Sequence, residues 1–143
     1  MRVAHLLAAK SHDVATVSQS QSVEEALALL KAHGIGALVV TGATPPLVGI
    51  FSERDVVRAI ADRGADALNE RVADLMSVDV TTCDESTLVT DLMSTMTVRR
   101  IRHVPVVDHD VLIGIISIGD VVKGRLEELE HEKQDLLEYV SAR

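Results

Sequence analysis

Two Ser-x-x-Asp motifs contain the residues of this chain whose types and spacing could do chemistry. Ser52 and Asp55 follow one apolar, strand-like run, and Ser117 and Asp120 follow another. In each motif the Asp begins an apolar, helix-like run, so both side chains are predicted to lie at a strand-to-helix turn. Such a turn brings together a hydroxyl, a carboxylate and unpaired backbone N–H groups. These groups could bind a polar or anionic ligand.

The same pattern is also typical of a helix start, where the Ser is the N-cap and the Asp is an acidic residue of the first turn. For one copy alone, capping would be the better interpretation. The two copies, however, have the same spacing after an equivalent glycine, Gly49 in one and Gly114 in the other. This duplication favours a pair of related binding sites.

The duplication extends over most of the chain. Segments match at a shift of 66 in three pairs: 12–17 with 78–83, 23–30 with 89–96, and 35–40 with 101–106. After a shorter loop at 108–110 the shift becomes 65, which superposes the two motifs. Apolar spacings of three and four predict a helix of about 11 residues in the second pair. The predicted unit is therefore strand, helix, strand, strand, helix, and residues 63–77 link the two copies.

These elements predict an α/β protein of the α+β type. Two β-α-β-β-α repeats, related by a pseudo-twofold axis, would pack through their sheets, because one such unit cannot cover both faces of a small sheet. The predicted organisation is a first repeat with linker at 1–71, a second repeat at 72–126 and a C-terminal helical extension at 127–143. Each of two clefts at the seam would combine the motif of one repeat with strand residues of the other.

Composition limits the possible functions. The net charge of −8 argues against nucleic acid as a partner, since phosphate neutralisation needs clustered Lys and Arg. The single cysteine, Cys83, excludes an intramolecular disulfide and fits a reducing compartment. No apolar run approaches the ~18 residues of a membrane span, so we expect a cytoplasmic protein without a membrane partner. The six histidines lack metal-site spacing, and no catalytic constellation is visible, so we expect neither a metal nor an enzyme.

The segments that carry the repeat resemble a known family. They are Ile-Gly-Ala-Leu-Val-Val at 35–40, Ser-Glu-Arg-Asp-Val-Val-Arg at 52–58, Arg-Ile-Arg-His-Val-Pro-Val-Val at 100–107 and Ser-Ile-Gly-Asp-Val-Val-Lys at 117–123. Together they are similar to a pair of cystathionine-β-synthase (CBS) domains over about residues 1–126. The whole chain resembles small stand-alone bacterial CBS-pair proteins, which have no attached catalytic domain.

The resemblance implies a regulatory sensor of adenosine nucleotides, with AMP, ADP, ATP or a related adenosyl compound such as S-adenosylmethionine or NAD as its ligand. In the family, the motif Asp bonds the ribose hydroxyls and the motif Ser contacts phosphate. Carried over to this sequence, the first site comprises Lys10, Val14, Ala15, Ile35, Gly36, Ala37, Arg102, His103, Ser117 and Asp120. The second site comprises Val80, Thr81, Ser52, Arg54 and Asp55.

The two implied sites differ in charge. Arg102 and His103 stand where the first repeat has Gly and Ala, so the Asp120 site is expected to be the better phosphate binder, with His103 adding charge when protonated. The other site has Arg54 instead. Lys10 could also reach a phosphate, although a surface position is the commoner one for lysine.

The end of the chain carries a heptad pattern. Apolar spacings of 4, 3, 4, 3 and 4 connect Val122, Leu126, Leu129, Lys133, Leu136 and Val140. This helix could fold back on its own core, but we favour a homodimer contact, since CBS pairs commonly associate through helical faces. Regulation would then act on an unidentified protein target. The alternative function is a ligand-independent dimeric adaptor or assembly domain whose clefts are vestigial.

Overall fold

The structure, a computed structural model, describes residues 1–10 and 13–142 and contains six α-helices and five β-strands among them. The helices are α1 (Val3–Ala8), α2 (Val23–His33), α3 (Glu53–Arg63), α4 (Val72–Leu75), α5 (Val89–Arg99) and α6 (Ile118–Ser141). The strands are β1 (Thr16–Ser18), β2 (Ala37–Thr41), β3 (Gly49–Ser52), β4 (His103–Asp108) and β5 (Val111–Ser117). A 3₁₀ helix, Gly64–Asn69, lies in the linker between the repeats. The α+β architecture predicted from the sequence is confirmed.

The two sheets differ by one strand. In the first repeat β1 pairs parallel with β2, and β2 pairs antiparallel with β3. In the second repeat β4 and β5 form a hairpin, and the strand expected at 78–83 is reduced to one parallel bridge between Cys83 and Val106. The matching strand expected at 12–17 forms only as β1, and its first residue, His12, lies outside the described residues.

A proline explains why the second repeat lacks this strand. In the first repeat the N–H of Val39 donates to the carbonyl of Ala15, which extends the pairing beyond β1. The equivalent of Val39 at the shift of 66 is Pro105, which has no N–H to donate. Only the hydrogen bonds on either side of Cys83 remain, from Cys83 N to Pro105 O at 3.0 Å and from Val107 N to Cys83 O at 2.9 Å.

The repeats exchange their short N-terminal helices. Along the chain α1 precedes the first repeat, but its Val3, Leu6 and Leu7 are buried in the core of the second repeat. Likewise Val72 of α4, which precedes the second repeat, is buried in the core of the first. The two connections are equivalent, because Val3 N donates to Thr87 O and Val72 N donates to Gln21 O, both at 2.9 Å. The exchange ties the two repeats into one unit.

Two equivalent glycines make room for the exchanged segments. A Cβ at Gly114 of β5 would lie 2.5 Å from Cδ2 of Leu7. A Cβ at Gly49 of β3 would lie 2.8 Å from both Sδ of Met76 and the carbonyl oxygen of Ser77. Both distances are far inside van der Waals contact, so a side chain at Gly114 would displace the end of Leu7, and one at Gly49 would meet the backbone of Ser77.

Helix α6 joins the second motif to the C-terminal extension. It begins directly after Ser117 and continues through Ser141, so residues 127–141 of the expected extension are part of the motif helix itself. Its apolar stripe does not fold back on the core of the described chain, because Leu126, Leu136 and Val140 are each about 60% exposed. Among the described residues, no helix combines the length and apolar character needed to cross a bilayer.

Candidate ligand-binding clefts

Each Ser-x-x-Asp turn is a capping box. Ser52 is the N-cap of α3, and its backbone N–H and hydroxyl both donate to Oδ2 of Asp55, at 2.8 and 3.1 Å. Ser117 caps α6 in the same way, and its N–H donates to Oδ2 of Asp120 at 2.9 Å. The helix-cap interpretation is therefore confirmed for both motifs. It does not exclude binding, because Oδ1 of Asp55 accepts no hydrogen bond from any described residue.

The two aspartates have different electrostatic environments. Burial raises the pKa of Asp55, and the hydrogen bonds from Ser52 offset this only in part. Burial also raises the pKa of Asp120, but hydrogen bonds from Lys10 and Ser117 outweigh it and hold the pKa below its usual value. Asp120 thus already has a cationic partner. Asp55 has only the more remote attraction of Arg58.

A cleft of about 180 Å³ lies beside Asp55, between the two repeats. It brings together all five residues that the sequence assigned to this site: Ser52, Arg54, Asp55, Val80 and Thr81. Further lining residues are Gly36, Ile50, Glu53, Arg58, Ser77, Asp79, Arg100, Ile101, Arg102 and His103. The motif of the first repeat therefore faces the start of β4 and the segment before α5, both from the second repeat.

The placement of Arg102 and His103 differs from the expectation that assigned them to Asp120. Both line the Asp55 cleft, because the motif of the first repeat meets the start of β4 from the second repeat there. His103 lies near the seam, since it also interacts electrostatically with Asp120 and with Glu53. Burial lowers the pKa of His103 despite these two carboxylates, which favours the neutral imidazole at pH 7. The positive charge of this cleft therefore comes from arginine.

Sequence reasoning missed two arginines of this cleft, Arg58 and Arg100. Arg58 lies four residues after Arg54 on α3, a spacing that puts both on one helix face and could have revealed it. Arg100 follows α5 in a left-handed conformation with φ of 55°, at the position equivalent to Gly34, whose φ is 62°. An arginine where the repeat has a helix-ending glycine was the available signal.

The residues assigned to the Asp120 site are arranged differently. Lys10, which was expected to reach a phosphate, already has partners in the protein. Its Nζ forms an ion pair with Oδ2 of Asp120 at 2.7 Å and donates to the carbonyl of Ile115 at 2.9 Å. It can reach them because α1, packed on the second repeat, ends close to β5. Ser117 lies beside Asp120 in the capping box.

The other residues assigned to that site belong to the first sheet and its approach. Ala37 is buried and pairs with Ser52 in the sheet, while the carbonyl of Ala15 accepts from Val39. Ile35 lines a separate shallow cavity under α2 together with Gly36, which also borders the Asp55 cleft. Val14 is half-buried just before β1. Their contact with a ligand stays a prediction.

Residues 1–10 and 13–142 contain no group of three or more His, Cys, Asp or Glu side chains that could hold a metal ion. The thiol of Cys83 is also poorly suited to reaction, because burial and the neighbouring Asp84 raise its pKa to about 12. The chemistry of the clefts is therefore that of carboxylate, hydroxyl and guanidinium groups. Guanidinium and hydroxyl groups can donate hydrogen bonds to anions, and carboxylates can accept them from hydroxyl groups.

Comparison with known proteins finds solved structures with the same fold. A crystal structure of the CBS-domain containing protein ATU1752 from Agrobacterium tumefaciens is similar, with a TM-score of 0.84 and 48% identity over 87% of this chain and 92% of that one. The CBS domain pair of protein MJ0100, solved with 5′-methylthioadenosine and S-adenosyl-L-methionine, has a TM-score of 0.78 and 26% identity over 90% of this chain and 98% of that one.

A curated relative gives the same result at the level of sequence. The mitochondrial CBS domain-containing protein CBSX3 of Arabidopsis thaliana is 37% identical over 123 residues, which are 83% of this chain. The chain spans 60% of the length of that relative. The family model of the CBS domain matches residues 5–62 and 72–127. The chain therefore belongs to the CBS domain family and consists largely of a pair of CBS domains.

Proposed function

We propose that this protein is a regulatory module that binds an adenosine nucleotide in the Asp55 cleft and passes the resulting change to a partner protein. The single observation that carries the proposal is the cleft itself. A carboxylate with one unoccupied oxygen lies there with arginines on the facing wall. The carboxylate would accept from the vicinal ribose hydroxyls, and the guanidinium groups would bind phosphate.

The MJ0100 domain pair supports the adenosyl part of the proposal. Its two ligands, 5′-methylthioadenosine and S-adenosyl-L-methionine, both contain adenosine and both lack phosphate. Because this chain has the same fold as the MJ0100 domain pair, we expect its cleft to accept an adenosyl group as well. The arginines of the Asp55 cleft favour a phosphorylated adenosine ligand here, such as AMP, ADP or ATP, over S-adenosylmethionine.

Calorimetric titration of the purified protein with AMP, ATP, NAD and S-adenosylmethionine would test the proposal. We expect Asp55→Asn to weaken nucleotide binding at least about tenfold, since a charge-assisted hydrogen bond contributes about 1.5–3 kcal/mol. Asparagine keeps a carbonyl that can accept from Ser52, so the helix cap should persist.

Asp120→Asn is the matched control, because it makes the same change in the equivalent capping box. It should leave binding in the Asp55 cleft unchanged. A loss in Asp120→Asn alone would move the site to the other cleft, which the sequence had favoured. Unchanged affinity in both variants would remove the assignment of ribose to either aspartate.

A second candidate function is the ligand-independent adaptor. The observation that favours it is the exposed apolar stripe of α6, which would suit a homodimer contact in either function. The four arginines that line the Asp55 cleft argue against a vestigial site, because neighbouring like charges repel one another unless an anion binds between them. An adaptor would bind none of the four compounds.

A further inference from the structure

Three arginines of the Asp55 cleft have no ion-pair or hydrogen-bond partner in the part of the chain that the structure describes. Among residues 1–10 and 13–142, the guanidinium groups of Arg54, Arg100 and Arg102 form neither an ion pair nor a hydrogen bond. Other arginines of the chain do form such contacts, for example Arg63 with Glu70 at 2.9 Å and Arg99 with Thr81 at 2.9 Å. Adjacent unpaired cations repel one another, so an anion that bridges them would be bound favourably.

The same three arginines also line a second, outer cavity. This cavity has a volume of about 340 Å³, and its other lining residues are Met96, Thr97, Ile101 and Ile118. Arg54, Arg100 and Arg102 therefore stand between the two spaces. Asp55 borders only the inner one. A ligand whose ribose is held by Asp55 would extend its phosphates toward the outer cavity.

Arg100 is held in a backbone conformation that arginine does not favour. It ends α5 with φ of 55° and ψ of 44°, where the first repeat ends α2 with Gly34. Glycine adopts this left-handed conformation without a steric penalty, whereas a residue with a Cβ does not. Strain of this kind at a cleft is an indication of function, because the side chain offers something that glycine cannot.

We propose that Arg54, Arg100 and Arg102 form a subsite for a phosphate chain, so that the cleft takes nucleotides with two or more phosphates in preference to AMP. A guanidinium group commonly binds two phosphate oxygens at once. Three such groups can engage more oxygens than the three terminal oxygens of one phosphate supply. This inference rests on the proposed function, since it assumes that Asp55 holds the ribose.

The test compares AMP, ADP and ATP by calorimetry on the full chain, together with the melting temperature of the ligand-free protein. The wild type should bind ATP at least about tenfold more tightly than AMP, the factor that one additional charge-assisted bond supplies. Arg100→Gly should reduce this ratio about tenfold and raise the melting temperature by about 3 °C, because it relieves the left-handed strain.

Two further variants complete the design. Arg102→Ala should reduce the preference for ATP over AMP in the same way but should not raise the melting temperature, because it relieves no backbone strain. Lys123→Ala removes an exposed charge that lines neither cavity and should leave the preference unchanged. Equal affinity of the wild type for AMP and ATP would overturn the phosphate-chain subsite while leaving the proposed function intact. An unchanged ratio in both arginine variants would also overturn it. Failure of the wild type to bind any nucleotide would overturn the proposed function itself.

Discussion

The ion pair between Lys10 and Asp120 allows a prediction of stability. Nζ of Lys10 makes two charge-assisted hydrogen bonds, to Asp120 at 2.7 Å and to the carbonyl of Ile115 at 2.9 Å. In a dry interior these would contribute about 1.5–3 kcal/mol each. The two charged side chains are 31% and 27% exposed, so solvent screening reduces the sum. We expect Lys10→Met to lower the free energy of unfolding by about 1–2 kcal/mol at pH 7.

The loss should depend on pH with a defined sign. The pKa of Asp120 is lower in the folded protein than in the unfolded chain, where it is about 3.9. The stabilisation by this carboxylate is therefore fully present above about pH 5 and disappears as the pH falls through the folded pKa. The difference between wild type and Lys10→Met should accordingly be constant from pH 8 to about 5 and shrink below about 4.

Urea unfolding followed by circular dichroism measures this difference, with Lys123→Met as the control that removes an exposed lysine. The control should change the free energy of unfolding by less than about 0.5 kcal/mol. Equal free energies of unfolding for Lys10→Met and wild type at pH 7 would show that the ion pair between Lys10 and Asp120 does not stabilise the protein. A loss that stays undiminished at pH 3 would assign the effect to the bond with the Ile115 carbonyl and to packing of the lysine stem, and not to the ion pair with Asp120.

Two further predictions concern packing and assembly. Gly49→Ala should lower the free energy of unfolding by about 1–3 kcal/mol in urea titrations, because its Cβ would lie 2.8 Å from the carbonyl oxygen of Ser77. Gly119→Ala, where the nearest atom is 3.6 Å away, is the control and should not be destabilised by a clash. A chain that ends before Leu129 should shift toward a smaller species than the full chain in sedimentation, because it loses Leu129, Leu136 and Val140, three of the five apolar residues of the exposed α6 stripe. Identical sedimentation would show that this stripe is not the dimer contact.

Local structure could be predicted from the sequence because it depends on neighbouring residues. The spacing of Ser52 and Asp55 dictates a capping box, and the apolar periodicity of 23–30 dictates a helix, whatever lies around them. The duplicated pattern then required two such units to cover each other. The loss of a strand before α5 was also visible, since Pro105 replaces the Val39 of the first repeat, but its effect depends on which residue it would have paired with.

Tertiary structure decided how the two repeats share their residues. No local pattern shows that α1 packs on the second repeat, and it is this exchange that brings Lys10 to Asp120. No local pattern shows either that Arg102 lines the cleft of Asp55 and not that of Asp120, the aspartate of its own repeat. Arg100, which has a left-handed backbone, lines the same Asp55 cleft. Sequence periodicity records which face of an element is apolar, whereas charge partners are set by distances between elements far apart in the chain. Of the four arginines that line the Asp55 cleft, Arg54 and Arg102 were therefore identified from the sequence, whereas only the packing of the two repeats showed that all four lie beside Asp55.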